Sequence, residues 1–277
     1  MHFTKLAAGI VILATATQSQ AVTILTTFVP EGNSFPANGV ASAPGTITGG
    51  GSLTSVFEAA ADYWENAIGD DFTVSLSYGW QILGGGTLGV HNLLTEGGAP
   101  HRELSGMIRI DSTVATQWFA DPTPTTHTEY TNYNEFTQNL GGGVMNTGRV
   151  FTGATGDASG RFDLLSVALH EIGHSLGLSS ANNAFVAGNG DLDVDVTSPR
   201  LFPGSSIPTV SGAHLNLANA LMFPSVSSGR RNLLSDADII ANMEISKFTQ
   251  LGPVPEPLSM TVLGFGVLAL LRRRKVS

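Results

Sequence analysis

Two histidines four positions apart, in His170-Glu171-Ile172-Gly173-His174, constrain this chain more than any other feature. On an α-helix that spacing sets both imidazoles one turn apart on the same face, within reach of a single metal ion. Leu164 to Leu176, the run that carries them, reads as a helix, and Asp163 stands where an N-cap belongs. Glu171 points near the same ion and can take a proton from a water held there. Gly177 then lets the chain leave the helix through a left-handed turn. Helices rich in His and Glu produce a five-residue match of this kind by chance, so the flanking chain has to supply the rest. Gly173 inside the helix costs stability relative to alanine, which weighs toward a functional reason for it.

A hydrolytic zinc site takes three protein ligands and leaves a position for water, whereas a structural site closes with four. Beyond the helical pair the chain offers His214, its remaining histidines, and Asp191, Asp193 and Asp195. Val167 to Leu178 closely resembles the active-site helix of the matrixins, a branch of the metzincin zinc proteases. In that clan the third ligand follows the glycine by three residues. Ser180 occupies that position here, and serine is a poor zinc ligand at neutral pH. His214 to Met222, ending in Ala220-Leu221-Met222, is similar to the matrixin segment in which the third histidine precedes the turn methionine. The resemblance therefore implies His170, His174 and His214 as ligands to one catalytic Zn2+, with Glu171 as general base. An insertion of roughly 34 residues would separate the third ligand from the helix, as in the leishmanolysin-type branch. It also implies a methionine turn, with the Met222 thioether forming an apolar floor under the histidines. The likeness covers residues 164–178 and 212–245; the N-terminal part shares only a pattern of elements.

That pattern is legible from periodicity. Val22 to Val29 alternates and is rich in β-formers, Leu53 to Ile68 has one apolar helical face, and Phe72 to Tyr78 alternates strictly. Met107 to Asp111 reads as another strand after a Gly-rich excursion at 84–99, and as the edge beside which a substrate peptide would lie. Residues 112–160 are polar, Thr- and Gly-rich, and match no template. A last helix spans about Asp236 to Lys247, with Ser235 and Asp238 placed as a capping box. Together these predict an α/β (α+β) domain over residues 22–253, which the resemblance implies is of the zincin/metzincin type. It would hold a twisted, mostly parallel sheet, an active-site helix, a methionine turn and a C-terminal helix. Phe223 to Val226 would wall the pocket for the residue after the scissile bond.

The two ends speak to location. Residues 1–21 read as a secretory signal peptide: Lys5, an apolar run from Leu6 to Ala16 too short to span a bilayer, then Ser19-Gln20-Ala21 as a cleavage site. Residues 254–277 combine Pro255-Glu256-Pro257, an apolar stretch from Leu258 to Leu271, and the basic cluster Arg272 to Lys275. This tail resembles the PEP-CTERM sorting signal of Gram-negative bacteria. The resemblance implies transient inner-membrane association through the apolar helix, processing by an exosortase-type enzyme, and release to the cell surface, an extracellular matrix or the medium. A short tail anchor held by positive charge on the cytoplasmic side would read similarly. Without these ends the chain is acidic, at about −13, so neither charge nor composition suggests nucleic acid. The absence of cysteine rules out a disulfide framework, thiol chemistry and latency by a zinc-blocking thiolate.

The function expected is a secreted zinc-dependent endopeptidase acting on a protein or peptide. The alternative is a non-catalytic zincin-fold matrix or adhesion protein of the bacterial surface, for which Ser180 is the best support and the intact Glu171 the main obstacle. Asp191, Asp193 and Asp195 offer oxygens to a Ca2+ ion, yet alternating Asp and Val also suits an ordinary half-exposed strand. The stretch lacks the glycine and distal glutamate of an EF-hand loop. His91 and His101 read as surface residues, His127 as having no specific role, and Trp64, Trp80 and Trp118 as core.

Overall fold

A computed structural model describes residues 21–113 and 115–252. The leader expected over 1–21, apart from Ala21, and the sorting tail over 254–277 lie outside the described residues. Among the described residues, no helix is long and apolar enough to cross a membrane.

The chain forms β1 (Thr23–Phe28), β2 (Thr46–Thr48), α1 (Leu53–Ala67), β3 (Thr73–Gln81), β4 (Gly89–Gly97) and β5 (Arg102–Asp111). There follow β6 (Gln117–Phe119), β7 (Tyr130–Asn139), β8 (Val144–Ala154), β9 (Phe162–Asp163) and α2 (Leu164–Ser175). The last part contains α3 (Asn183–Gly188), β10 (Asp193–Asp195), β11 (Ser206–Val210), β12 (His214–Leu215), β13 (Arg231–Leu233) and α4 (Asp236–Ser246). This is a mixed α/β architecture, α+β in kind, of several twisted sheets and few helices. The main sheet has the order β1-β3-β5-β4. β1, β3 and β5 run parallel and β4 runs antiparallel to β5, so the expected mostly parallel sheet is present.

Local chemistry explains why α1 and α2 lie where they do. Ser52 and Ser55 cap α1 reciprocally, and Val56, Phe57, Ala60 and Trp64 bury its apolar face. Asp163 caps α2 by accepting from the Ser166 amide at 3.0 Å. Both helices pack on one face of the sheet, over Val74, Leu76, Ile108 and Ile110, and the Trp64 indole donates to Leu169 O at 2.9 Å. Trp80 and Trp118 are buried in the same core, as expected.

Two expectations need correction. Met107 to Asp111 is not an edge: it belongs to β5, which β3 and β4 flank. The edge is β4, which occupies most of the stretch read as a Gly-rich excursion; Gly84, Gly85, Gly86 and Gly98 sit at positive φ on either side of it and gave the look of a loop, whereas Gly89 inside the strand serves close packing. The unassigned region from 112 to 160 contains β6 and the β7–β8 hairpin. Its pattern gave no template because β7 is exposed almost throughout, leaving no buried face to impose alternation.

Beyond α2, the segment between Gly177 and His214 folds as a small unit. α3 and the antiparallel β10-β11-β12 sheet bury Phe185, Val194, Val196 and Ile207 against Ile240 and Ile245 of α4. This packing, shared with α4, sets the level at which the chain returns to α2.

Candidate metal centre

His170 and His174 project from α2 into a cleft of about 520 Å3 between the helix, β4 and the segment 221–226. His214 enters from β12, and the three rings gather with centroids 4.7 Å (170–174), 5.1 Å (170–214) and 4.9 Å (174–214) apart. One nitrogen from each lies within 4.8 Å of the other two. Asp191, Asp193 and Asp195 form a separate acidic group, and none lines the cleft. The ligand scheme drawing on those aspartates is thus corrected: Asp193 and Asp195 lie on β10 and Asp191 just before it, away from the cleft, and Asp193 accepts from the Ser206 hydroxyl.

Hydrogen bonding decides whether this trio suits a metal. His170 Nδ1–H donates to Leu221 O at 2.8 Å, and His174 Nδ1–H donates to Leu178 O. Burial pushes the His170 imidazole down to about 4 and the His174 imidazole well below its ordinary value, so neither carries a second proton at neutral pH. Each Nε2 is therefore a bare lone pair, and the two stand 3.1 Å apart. Two lone pairs facing each other repel unless a shared cation lies between them. Two imidazoles on one tetrahedral zinc are separated by about 3.3 Å. Burial also lowers His214, and its Nδ1–H faces Ser211 O at 3.3 Å, leaving Nε2 free in the same way. Neutral imidazoles with fixed tautomers are the donor set that zinc takes.

Glu171 lies on the same helix, buried, with burial pushing its carboxyl up to about 8 against the lowering effect of the His91 backbone amide. It fits against β4 because position 89 is glycine: a Cβ there would lie 2.6 Å from Glu171 Oε1. The helix floor uses the same device. A Cβ on Gly173 would run into the Met222 sulfur and come within 3.0 Å of Trp64, so the glycine that costs helix stability makes room for the methionine. Gly173→Ala is expected to destabilise by about 1–3 kcal/mol despite alanine's better helix propensity. A thermal midpoint equal to or above the parent's would remove the packing argument.

No family model, curated protein or solved structure matches the chain. The site therefore rests on its own geometry.

One anchor was legible only as a helix cap. The buried Asp238 carboxylate accepts from the Ser235 amide at 2.9 Å, as the capping box predicts. It also accepts from the Leu221 and Met222 amides at 3.1 and 2.9 Å. Leu221 O in turn orients His170, and Met222 O accepts from the Leu215 amide at 2.9 Å, next to His214. One carboxylate thus ties the turn to two of the three histidines. Gly177 takes φ +154°, and a Cβ there would also lie 2.9 Å from Ser246 Oγ on α4.

Two histidines read differently in three dimensions. His91 is not a surface residue: its side chain is 3 % exposed, and it lines the cleft wall. His127 is not idle; it packs on Phe151 with centroids 4.1 Å apart and faces Arg231 at 3.1 Å. His101 is exposed, as expected.

Separate His214→Ala and Asp191→Ala variants distinguish the ligand schemes. His214→Ala is expected to weaken zinc binding by at least about 10-fold, since groups that merely support a ligand already cost that much. Asp191→Ala should leave it unchanged. Competition with a chromogenic chelator reads both, and the reverse pattern would sink the three-histidine site.

Proposed function

We propose that this protein is a zinc-dependent endopeptidase of the metzincin type. The observation that carries the reading is the convergence of three neutral, tautomer-fixed imidazoles with the Glu171 carboxylate in a cleft bounded by a sheet edge. A zinc ion held by His170, His174 and His214 would supply a Lewis acid that acidifies water and polarises a peptide carbonyl.

The rest of the chemistry belongs to the chain. β4 presents the free edge of the main sheet along the cleft, so an extended peptide would pair with it through main-chain hydrogen bonds. Glu171 takes the proton of the attacking water on a carboxylate oxygen and returns it to the leaving amine. Burial raises that carboxyl's affinity for a proton, so it can hold one between the two steps, and a cation held by the three histidines would favour the ionised form that accepts it. Phe223, Pro224, Ser225 and Val226 line the side of the cleft expected for the residue after the scissile bond. Among the described lining residues Glu171 is the one acid, and there is no lysine or arginine. Neutral peptide segments are therefore favoured, because a charged side chain would lie there unpaired.

The signal peptide and sorting tail belong to the same proposal. They would export the enzyme, hold it briefly at the inner membrane and release it after processing. The test is cleavage of an unstructured protein such as casein by the purified chain. Activity is expected to vanish on chelation and to return with added Zn2+. Folded, zinc-loaded protein that cleaves neither casein nor a mixed peptide library would favour the non-catalytic surface-protein alternative.

A further inference from the structure

Beside the histidine trio lies a second polar pair to which the reaction above gives no task. His91 on β4 and Glu103 on β5 share a hydrogen bond, Nε2–H to Oε1, at 2.9 Å. Both side chains are buried, at 3 % and 0 % exposure, and Glu103 Oε2 has no partner among the described residues. The pair occupies a slot left by Gly106, where a Cβ would strike Glu103 Oε1 and lie 3.1 Å from His91 Nε2. The His91 ring lies alongside that of His174, centroids 6.2 Å apart and planes 24° from parallel. Its backbone amide reaches the Glu171 carboxylate. One residue therefore adjoins both a metal-ligating ring and the general base.

Burying an imidazole and a carboxylate costs free energy that an apolar pair of similar volume would avoid. Packing alone does not account for them at this position. His174 has one anchor of its own, Leu178 O on the next turn of chain. Nothing in that bond stops the ring from swinging toward β4 once the position beside it is vacant. The geometry assigns His91, pinned by Glu103, as a positioning residue that holds His174 in place for the metal. This assignment rests on the zinc reading of the trio, and its test separates the two.

His91→Val with Glu103→Met removes the ring and the hydrogen bond while conserving volume and suiting a strand. Glu103→Gln keeps an acceptor for His91. Zinc affinity by chelator competition, and the visible spectrum of the Co2+-substituted protein, are read beside the unfolding temperature of the metal-free form. The double variant is expected to bind zinc about 10–100-fold more weakly, with an altered Co2+ spectrum and little change in metal-free unfolding. Glu103→Gln is expected to stay close to the parent. Should the double variant not fold, His91→Gln, which keeps a donor for Glu103 but has no ring beside His174, is expected to show the same loss. A folded His91→Val/Glu103→Met protein that binds zinc within twofold of the parent would overturn the assignment and leave the metal site standing. A parent that binds no zinc would overturn both.

Discussion

Glu171→Ala is expected to lower kcat by about 100- to 10,000-fold while leaving one zinc bound. The separation of the two effects follows from placement. The three imidazoles form the donor set without this carboxylate, so its loss leaves metal affinity intact. Proton transfer has no substitute, because no other acid lines the cleft among the described residues. Stability should hold or rise slightly, since Glu171 is a buried acid whose burial raises its pKa. Glu171→Gln, nearly the same shape, should lose as much activity, which would exclude a packing explanation. Turnover of a fluorogenic peptide, zinc content and thermal midpoint measured on each variant give the answer. Retained turnover in either would remove Glu171 from the mechanism.

The second large effect concerns stability. Arg231→Ala is expected to cost roughly 3–5 kcal/mol, because it strips the counter-charge from two buried carboxylates. Arg231 is fully buried on β13. Its Nη2–H groups donate to Asp121 Oδ2 at 2.8 Å and Asp163 Oδ1 at 2.9 Å, and Nε–H donates to Asp163 Oδ2 at 3.1 Å. Nη1–H reaches Thr126 O at 2.9 Å, and the guanidinium lies 5.0 Å from the Tyr130 ring centre. Asp163 is also the N-cap of α2, so the damage would pass directly to the helix that carries His170 and His174. Against a total stability of about 5–15 kcal/mol this is a large fraction. At about 2–4 °C per kcal/mol for a chain of this size, a drop of roughly 6–20 °C in Tm is expected. A calorimetric scan that moved by less than about 2 °C would show the network to be dispensable.

The network also shows why parts of the site escaped the sequence. Arg231 and Asp163 are 68 positions apart and Arg231 and Asp121 are 110 apart, so no periodicity links them. His91 and Glu103 are nearer, 12 positions apart. They meet across a β4–β5 ladder whose register shifts at Leu93 and Thr95, and a bulge breaks the alternation from which facing residues are inferred. The edge role went to the wrong strand for a related reason. Strand order depends on which strands pair in space, and the turn glycines on either side of β4 disguised it as a loop.

What the sequence by itself determined was whatever depends on neighbours within a few residues. The helical period puts His170, Glu171 and His174 together, Asp163 and Ser235 cap their helices, and the alternation of β1 and β3 marks them as strands. Gly173 could be marked as costly, and its reason waited for the Met222 sulfur beneath it. His214 was implied by resemblance, and tertiary structure gathers it rather than an aspartate with the helical pair; tertiary structure alone decided that Asp238 holds the turn between two of the histidines. It also decided that β4 offers the edge. The physical reason is the same throughout. Backbone geometry fixes the relation of residues one turn or one pleat apart, whereas residues on separate elements meet only where burial and hydrogen bonding make the elements pack.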